Sequence, residues 1–212
     1  MNKKFLDILY TWPKPYISGT DLTVLLNNSP DSRYSIVKRA VQENYLISLK
    51  KDLYLIRNQI EKAPPDTFEL APLLYGPSYI SLESALSFHG WIPEAVTSTT
   101  SVSAKRSKNF TTPLGTFFYK QIPLSILSSG INQVKKQEVT LFIADPWKAL
   151  ADYIYTKKRE WLNIQELNQD LRIEFESLKN SDISLLHSLI ATYPSLRVKK
   201  TLNNLLLKGL TP

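Results

Sequence analysis

The sequence predicts an α+β protein of two domains. Three observations carry that expectation: hydrophobic spacing that switches between helical and alternating periods, a Pro-Pro break near residue 64, and basic charge crowded toward one end. The 212-residue chain is 43% hydrophobic, 21% charged and 11% aromatic, a folded rather than a disordered composition. At roughly 100–200 residues per domain, it holds one large domain or two modest ones. Glu61-Lys62-Ala63-Pro64-Pro65-Asp66 reads as a linker, because consecutive prolines stop both helix and strand. The boundary is placed there, giving domains 1–60 and 66–212.

The first domain reads helix, helix, helix, hairpin. Phe5, Leu6, Ile8 and Leu9 form a short apolar helix face that ends at Trp12-Pro13-Lys14-Pro15. Ser18-Gly19-Thr20 starts a second helix with Leu22, Leu25 and Leu26 inward, stopped by Asn27-Asn28. Ser29-Pro30-Asp31 starts a third: a capping side chain, proline at the first helical position, then an acid in the first turn. That helix runs to about Glu43-Asn44. Tyr45 to Leu49 and Leu53 to Ile56 flank the polar Lys50-Lys51-Asp52, which is a hairpin pattern. Three helices and a two-stranded hairpin in this order predict a winged helix-turn-helix.

The second domain reads as α+β with a small, largely antiparallel sheet and a helical C-terminal part. Ser81 to His89 has the cap and period of a helix, closed by Gly90 and Pro93. Thr97 to Ala104, Gly115 to Ile122 and Glu138 to Ala144 are strand-like runs rich in Thr, Val, Phe and Tyr, with a turn at Thr112-Pro113-Leu114-Gly115. From Asp145-Pro146 onward the period is helical, with stripes at Trp147 to Tyr155, Ile183 to Ala191 and Leu196 to Leu207.

Twenty-six Lys and Arg against nineteen Asp and Glu leave a net charge of +7. Such an excess favours a polyanionic partner, although solubility charge alone accounts for it equally well. Position decides the matter. Residues 1–60 carry nine basic and five acidic side chains, net +4; the other 152 residues carry the remaining +3. On the third helix, at 100° per residue, Tyr34, Val37 and Val41 share an arc of about 60° expected to face the core. Ser35, Lys38, Arg39 and Gln42 spread over about 100° on another side, offering a hydroxyl, two cations and an amide to solvent. Those side-chain types contact phosphates and base edges in a major groove. Arg33, on the first turn beside the apolar arc, is expected to swing outward. Lys50 and Lys51 at the hairpin tip are expected on the flanking phosphate backbone; the same lysines would also discourage edge-to-edge strand pairing. A basic amphipathic helix with no partner is the plain alternative reading of the third helix.

Further basic runs are Lys105-Arg106-Ser107-Lys108, read mainly as a solvated turn, and Arg197, Lys199 and Lys200 over a leucine stripe. The catalytic inventory is thin. Cysteine is absent, which removes disulfides, thiolate metal sites and cysteine nucleophiles together. His89 and His187 are isolated in apolar helical contexts, and no Gly-rich phosphate loop or GxSxG elbow occurs. Glu174 and Glu176 are the nearest approach to a nuclease metal pair, and at i, i+2 they share a face only in a strand. A non-enzymatic protein without cofactor or metal is expected. The N-terminus lacks a secretory core, and no apolar run nears the ~18 residues of a membrane span, so a soluble cytoplasmic protein is expected.

Three segments resemble a known family. Tyr79-Ile80-Ser81-Leu82-Glu83-Ser84-Ala85-Leu86-Ser87-Phe88-His89-Gly90-Trp91-Ile92-Pro93-Glu94 is similar to the motif that opens the second domain of AbiEi-type antitoxins, the regulator half of type IV toxin–antitoxin pairs. Ser32 through Tyr54 resembles that family's recognition helix and wing, with Asp52 where glycine is frequent. Asp145-Pro146-Trp147-Lys148-Ala149-Leu150-Ala151-Asp152-Tyr153-Ile154-Tyr155 resembles its helix after the sheet, as a variant of a Pro-Glu-Lys-Ala form. The resemblance implies a repressor that binds inverted repeats in its own promoter and antagonises a cognate nucleotidyltransferase-like toxin. Two other readings stay open: a stand-alone regulator without a toxin, and a protein-interaction module whose basic surface takes an acidic partner.

Overall fold

The computed structural model describes residues 3–136 and 138–209, and the chain divides into two compact units, Met1–Leu74 and Tyr75–Pro212. The class is α+β, as the periods predict. In the first unit the order is α1 (Lys3–Thr11), β1 (Tyr16–Ser18), α2 (Gly19–Leu26), α3 (Pro30–Gln42), β2 (Leu46–Lys50), β3 (Leu53–Ile56), α4 (Arg57–Ile60) and α5 (Thr67–Leu74). The division falls after Leu74, so Pro64-Pro65 lies inside this unit, and Pro65 is buried.

Local chemistry explains the helix starts. Ser18 and Asp21 form a reciprocal capping box at α2, and Asn27 ends that helix in the left-handed conformation at φ 45°. At α3, the Ser29 hydroxyl accepts from the Ser32 N–H, and Pro30 occupies the first helical position. The hairpin expected from the sequence is β2–β3, and β1 adds a third antiparallel strand in the order β1-β3-β2. Phe5, Leu9, Ile17, Leu22, Val37, Ala40, Leu46 and Ile56 form the core beneath these elements.

The second unit holds a six-stranded sheet in the order β6-β7-β5-β4-β9-β8, from β4 (Ser78–Ile80), β5 (Thr99–Ser103), β6 (Lys108–Thr112), β7 (Gly115–Gln121), β8 (Ile131–Lys136) and β9 (Val139–Ala144). The expected small, largely antiparallel sheet is therefore corrected to a larger mixed one. The pairs β5–β7 and β4–β9 run parallel: β6 intervenes in the chain between β5 and β7, and everything from α6 (Leu82–Phe88) to β8 intervenes between β4 and β9. Helices α7 (Pro146–Lys157), α8 (Ile164–Leu171), α9 (Phe175–Lys179), α10 (Ile183–Thr192) and α11 (Leu196–Gly209) complete the unit. Asp145 caps α7 by accepting from the Trp147 N–H, with Pro146 in the first turn. Trp91 and Trp147 meet edge to face at 5.0 Å. No helix among the described residues is long and apolar enough to cross a membrane.

Candidate nucleic-acid interface

Helix α3 is held through one side. Ala40 and Val37 are buried, Ile36 and Val41 pack at the edge of the core, and Ser35, Lys38, Arg39 and Gln42 are exposed opposite. On the helical wheel the buried side centres between Ala40 and Val37, about 170° from Gln42, so four of the expected residues share one solvent face. Tyr34 corrects the expected core arc: it is 67% exposed and stands beside that face. Because Ala40 and Val37 fill the contact with the core, the anchored side lies about 60° from the arc drawn through Tyr34, Val37 and Val41.

The remaining expected contacts divide. Arg33 is half-buried, and its guanidinium donates to the Asn28 carbonyl at 3.4 Å. It lines a cavity of about 570 Å³ with Thr20, Thr23, Tyr34, Asp52 and Tyr54, between α2, α3 and the hairpin turn. Lys51 is exposed on that turn. Lys50 is corrected: its ammonium donates to the Leu74 carbonyl at 2.9 Å, which ties it to the end of α5 and away from the tip. A lysine stem long enough to reach a helix C-terminus is held there by the unsatisfied last-turn carbonyl.

The turn is set by a close approach. The Gly19 N–H donates to the Asp52 carbonyl at 2.8 Å, and a Cβ on Gly19 would lie 2.7 Å from the Asp52 Cβ. Asp52 takes φ 61°, the left-handed conformation that favours glycine and tolerates aspartate. Burial and the Asp52 carboxylate hold the Tyr54 hydroxyl above its ordinary pKa, so it remains a proton donor in the cavity wall at neutral pH.

In the second unit, all four residues of the Lys105–Lys108 run are exposed, as in a solvated turn, and two of its cations make contacts. The Lys105 ammonium donates to the Gly76 carbonyl and lies over the Tyr75 ring, and Lys108 lies 4.8 Å from the Phe110 centroid. Glu174 and Glu176 flank the start of the five-residue α9, where Glu174 accepts from the Asn168 amide. No group of three or more metal-binding side chains occurs among the described residues. The imidazole Nε2 of His89 is 2.9 Å from the Ala144 carbonyl, and His187 is exposed.

A buried charge pair escaped the sequence reading. Lys148 and Asp152 on α7 are both fully buried and meet at 2.5 Å. The other partners of the Asp152 carboxylate are the Tyr79 hydroxyl at 2.9 Å, the Ser81 hydroxyl at 2.9 Å and the Tyr193 hydroxyl at 3.1 Å. Burial, then the Asp152 charge, drives both tyrosine pKa values far upward, so both hydroxyls donate. The group is sealed from solvent and ties α7 to β4 and to the segment before α11. The i, i+4 spacing of Lys148 and Asp152 inside an apolar run was the available signal. No family model matches the chain, and no curated protein matches it.

Proposed function

We propose that the first unit is a winged helix-turn-helix that binds double-stranded DNA, with α3 in the major groove and the β2–β3 turn on the flanking backbone. The protein is then a transcriptional repressor acting at inverted repeats in its own promoter. One observation carries the reading: Ser35, Lys38, Arg39 and Gln42 share the exposed face of a helix whose opposite side is anchored by Val37 and Ala40. This arrangement supplies donors and acceptors for base edges on a rigid element, and cations for phosphates. Tyr34 and Lys51 extend the same interface. Antagonism of a nucleotidyltransferase-like toxin by the second unit is part of the proposal and rests on the motif resemblance alone.

The test is an operator mobility shift with Lys38→Glu/Arg39→Glu. With Lys38, Arg39 and Lys51 on phosphates, the log–log salt slope is roughly −2.7 per unit, at about −0.9 per contact. The double reversal is expected to abolish the shift with thermal unfolding unchanged, since both residues are exposed. A shift that survives at moderate salt refutes the assignment of α3. A salt-independent affinity would favour the acidic-protein partner.

A further inference from the structure

A second concave site lies in the other unit. Ser107, Lys120, Tyr155, Lys158, Ser195 and Arg197 line a cavity of about 380 Å³, within the range of small-ligand pockets. They come from the loop before β6, the end of β7, the end of α7 and the start of α11, so four distant segments converge. Its lining among the described residues includes three cations and no carboxylate. The neighbouring cavity, of about 530 Å³, shares Lys120 but is lined by Glu83, Glu94 and Asp170, which would repel an anion.

Both serine oxygens accept from backbone N–H groups. The Ser107 Oγ accepts from the Gln121 N–H at 3.0 Å, and the Ser195 Oγ accepts from the Val198 N–H at 3.5 Å. Each therefore keeps an O–H to give. Thr156 is spent on the Asp152 carbonyl and Lys199 on the Ala191 carbonyl, so neither contributes. The Arg197 guanidinium shares Glu160 at 2.9 Å, which leaves the cluster with a surplus of two positive charges. A terminal phosphoryl group carries about −1.5 to −2 at neutral pH, a close match. The recess also suits a chain-terminal group with three free oxygens better than a bridging phosphodiester on a duplex surface.

We propose that this cavity binds the terminal phosphoryl group of a small phosphorylated ligand, through Lys120, Lys158 and Arg197 with the Ser107 and Ser195 hydroxyls as additional donors. The proposal is independent of DNA binding by α3. The experiment titrates inorganic phosphate into the full chain at constant ionic strength, by ³¹P line width and by calorimetry, with chloride as the reference anion. Binding at about 1 mM or tighter is expected, weakened at least about tenfold in Lys120→Gln/Lys158→Gln and unchanged in Lys38→Glu/Arg39→Glu. If the double variant does not fold, Arg197→Gln takes its place, with several-fold weakening expected. No phosphate binding by the wild type overturns the proposal, and so does undiminished binding by a folded variant. It is also overturned if the double variant loses affinity for a duplex without terminal phosphates but keeps its affinity for phosphate; those cations would then serve a nucleic-acid backbone.

Discussion

Removing the Asp152 carboxylate is expected to unfold more of the second unit's stability than removing the Lys148 ammonium. The two residues form one ion pair, but their remaining partners differ. Without Lys148, Asp152 keeps three hydroxyl donors, from Tyr79, Ser81 and Tyr193. Without Asp152, the fully buried Lys148 keeps only the faces of Tyr79 and Tyr193, at 5.6 and 5.3 Å, and three hydroxyls lose their acceptor. Breaking a buried pair costs ~3–5 kcal/mol, and each orphaned buried hydroxyl adds ~1–3 kcal/mol before relaxation. With relaxation offsetting most of the hydroxyl cost, Asp152→Ala is expected to cost about 5 kcal/mol, the top of the pair range, and Lys148→Met about 3 kcal/mol because the carboxylate remains solvated by hydroxyls. Against a total of ~5–15 kcal/mol, the first change approaches the whole stability of a domain. At about 3 °C per kcal/mol for a unit of this size, the melting transition falls by ~15 °C and ~9 °C respectively. Urea unfolding followed by tryptophan fluorescence measures the difference, since Trp91, Trp147 and Trp161 are all buried in this unit. Equal losses in the two variants, or a loss below ~1 kcal/mol in Asp152→Ala, would refute this asymmetry of partners.

Three further outcomes follow from single contacts. Tyr34→Ala is expected to change stability by less than ~0.5 kcal/mol, because the side chain is 67% exposed, while weakening operator affinity in a fluorescence-anisotropy titration. Gly19→Ala places a Cβ 2.7 Å from the Asp52 Cβ and is expected to cost ~1–3 kcal/mol by thermal denaturation; adding Asp52→Gly removes the clash and should restore most of it, since φ 61° suits glycine. The Asp182 pKa is depressed by hydrogen bonds from the Leu185 and Ser184 N–H groups, so its stabilisation is present above the ordinary carboxylate value of 3.8 and is lost as pH falls through the lower folded value. Asp182→Asn is expected to flatten that part of the acid-unfolding curve, and an unaltered curve would remove the capping role.

What could be read from the chain without its fold was whatever a few adjacent residues decide. The starts of α3 and α7 are visible because Ser29-Pro30 and Asp145-Pro146 combine a cap with a proline at the first helical position. Strand β1 is invisible for the opposite reason. It spans three residues just after Pro13 and Pro15, and it is a strand only because the edge of β3 lies open to pair with it. The parallel β5–β7 and β4–β9 pairs are likewise properties of a crossover, which no local period records. The face of α3 sits between these cases. Its period is local, yet which side is inward depends on what fills the core, and a small alanine at 40 outweighed the larger Tyr34.

Charge followed the same division. A count treats every cation as surface, but every residue of α7 from Trp147 to Ile154 is buried, so that stretch has no solvent side on which to place Lys148 or Asp152. Their charges are cancelled inside, at 2.5 Å, and contribute nothing to any external field. Lys50 is drawn off to the Leu74 carbonyl and Lys105 to the Gly76 carbonyl. Net charge therefore does not say where an anion would sit, and two groups of cations bear on the proposals above. Lys38, Arg39 and Lys51 are exposed on α3 and the β2–β3 turn of the first unit, the surface proposed to take a long polyanion. Lys120, Lys158 and Arg197 line a recess of about 380 Å³ in the second. On the two proposals, shape rather than net charge separates the partners: an exposed basic helix face would suit a strand of phosphates, and a basic recess one phosphate at the end of a molecule.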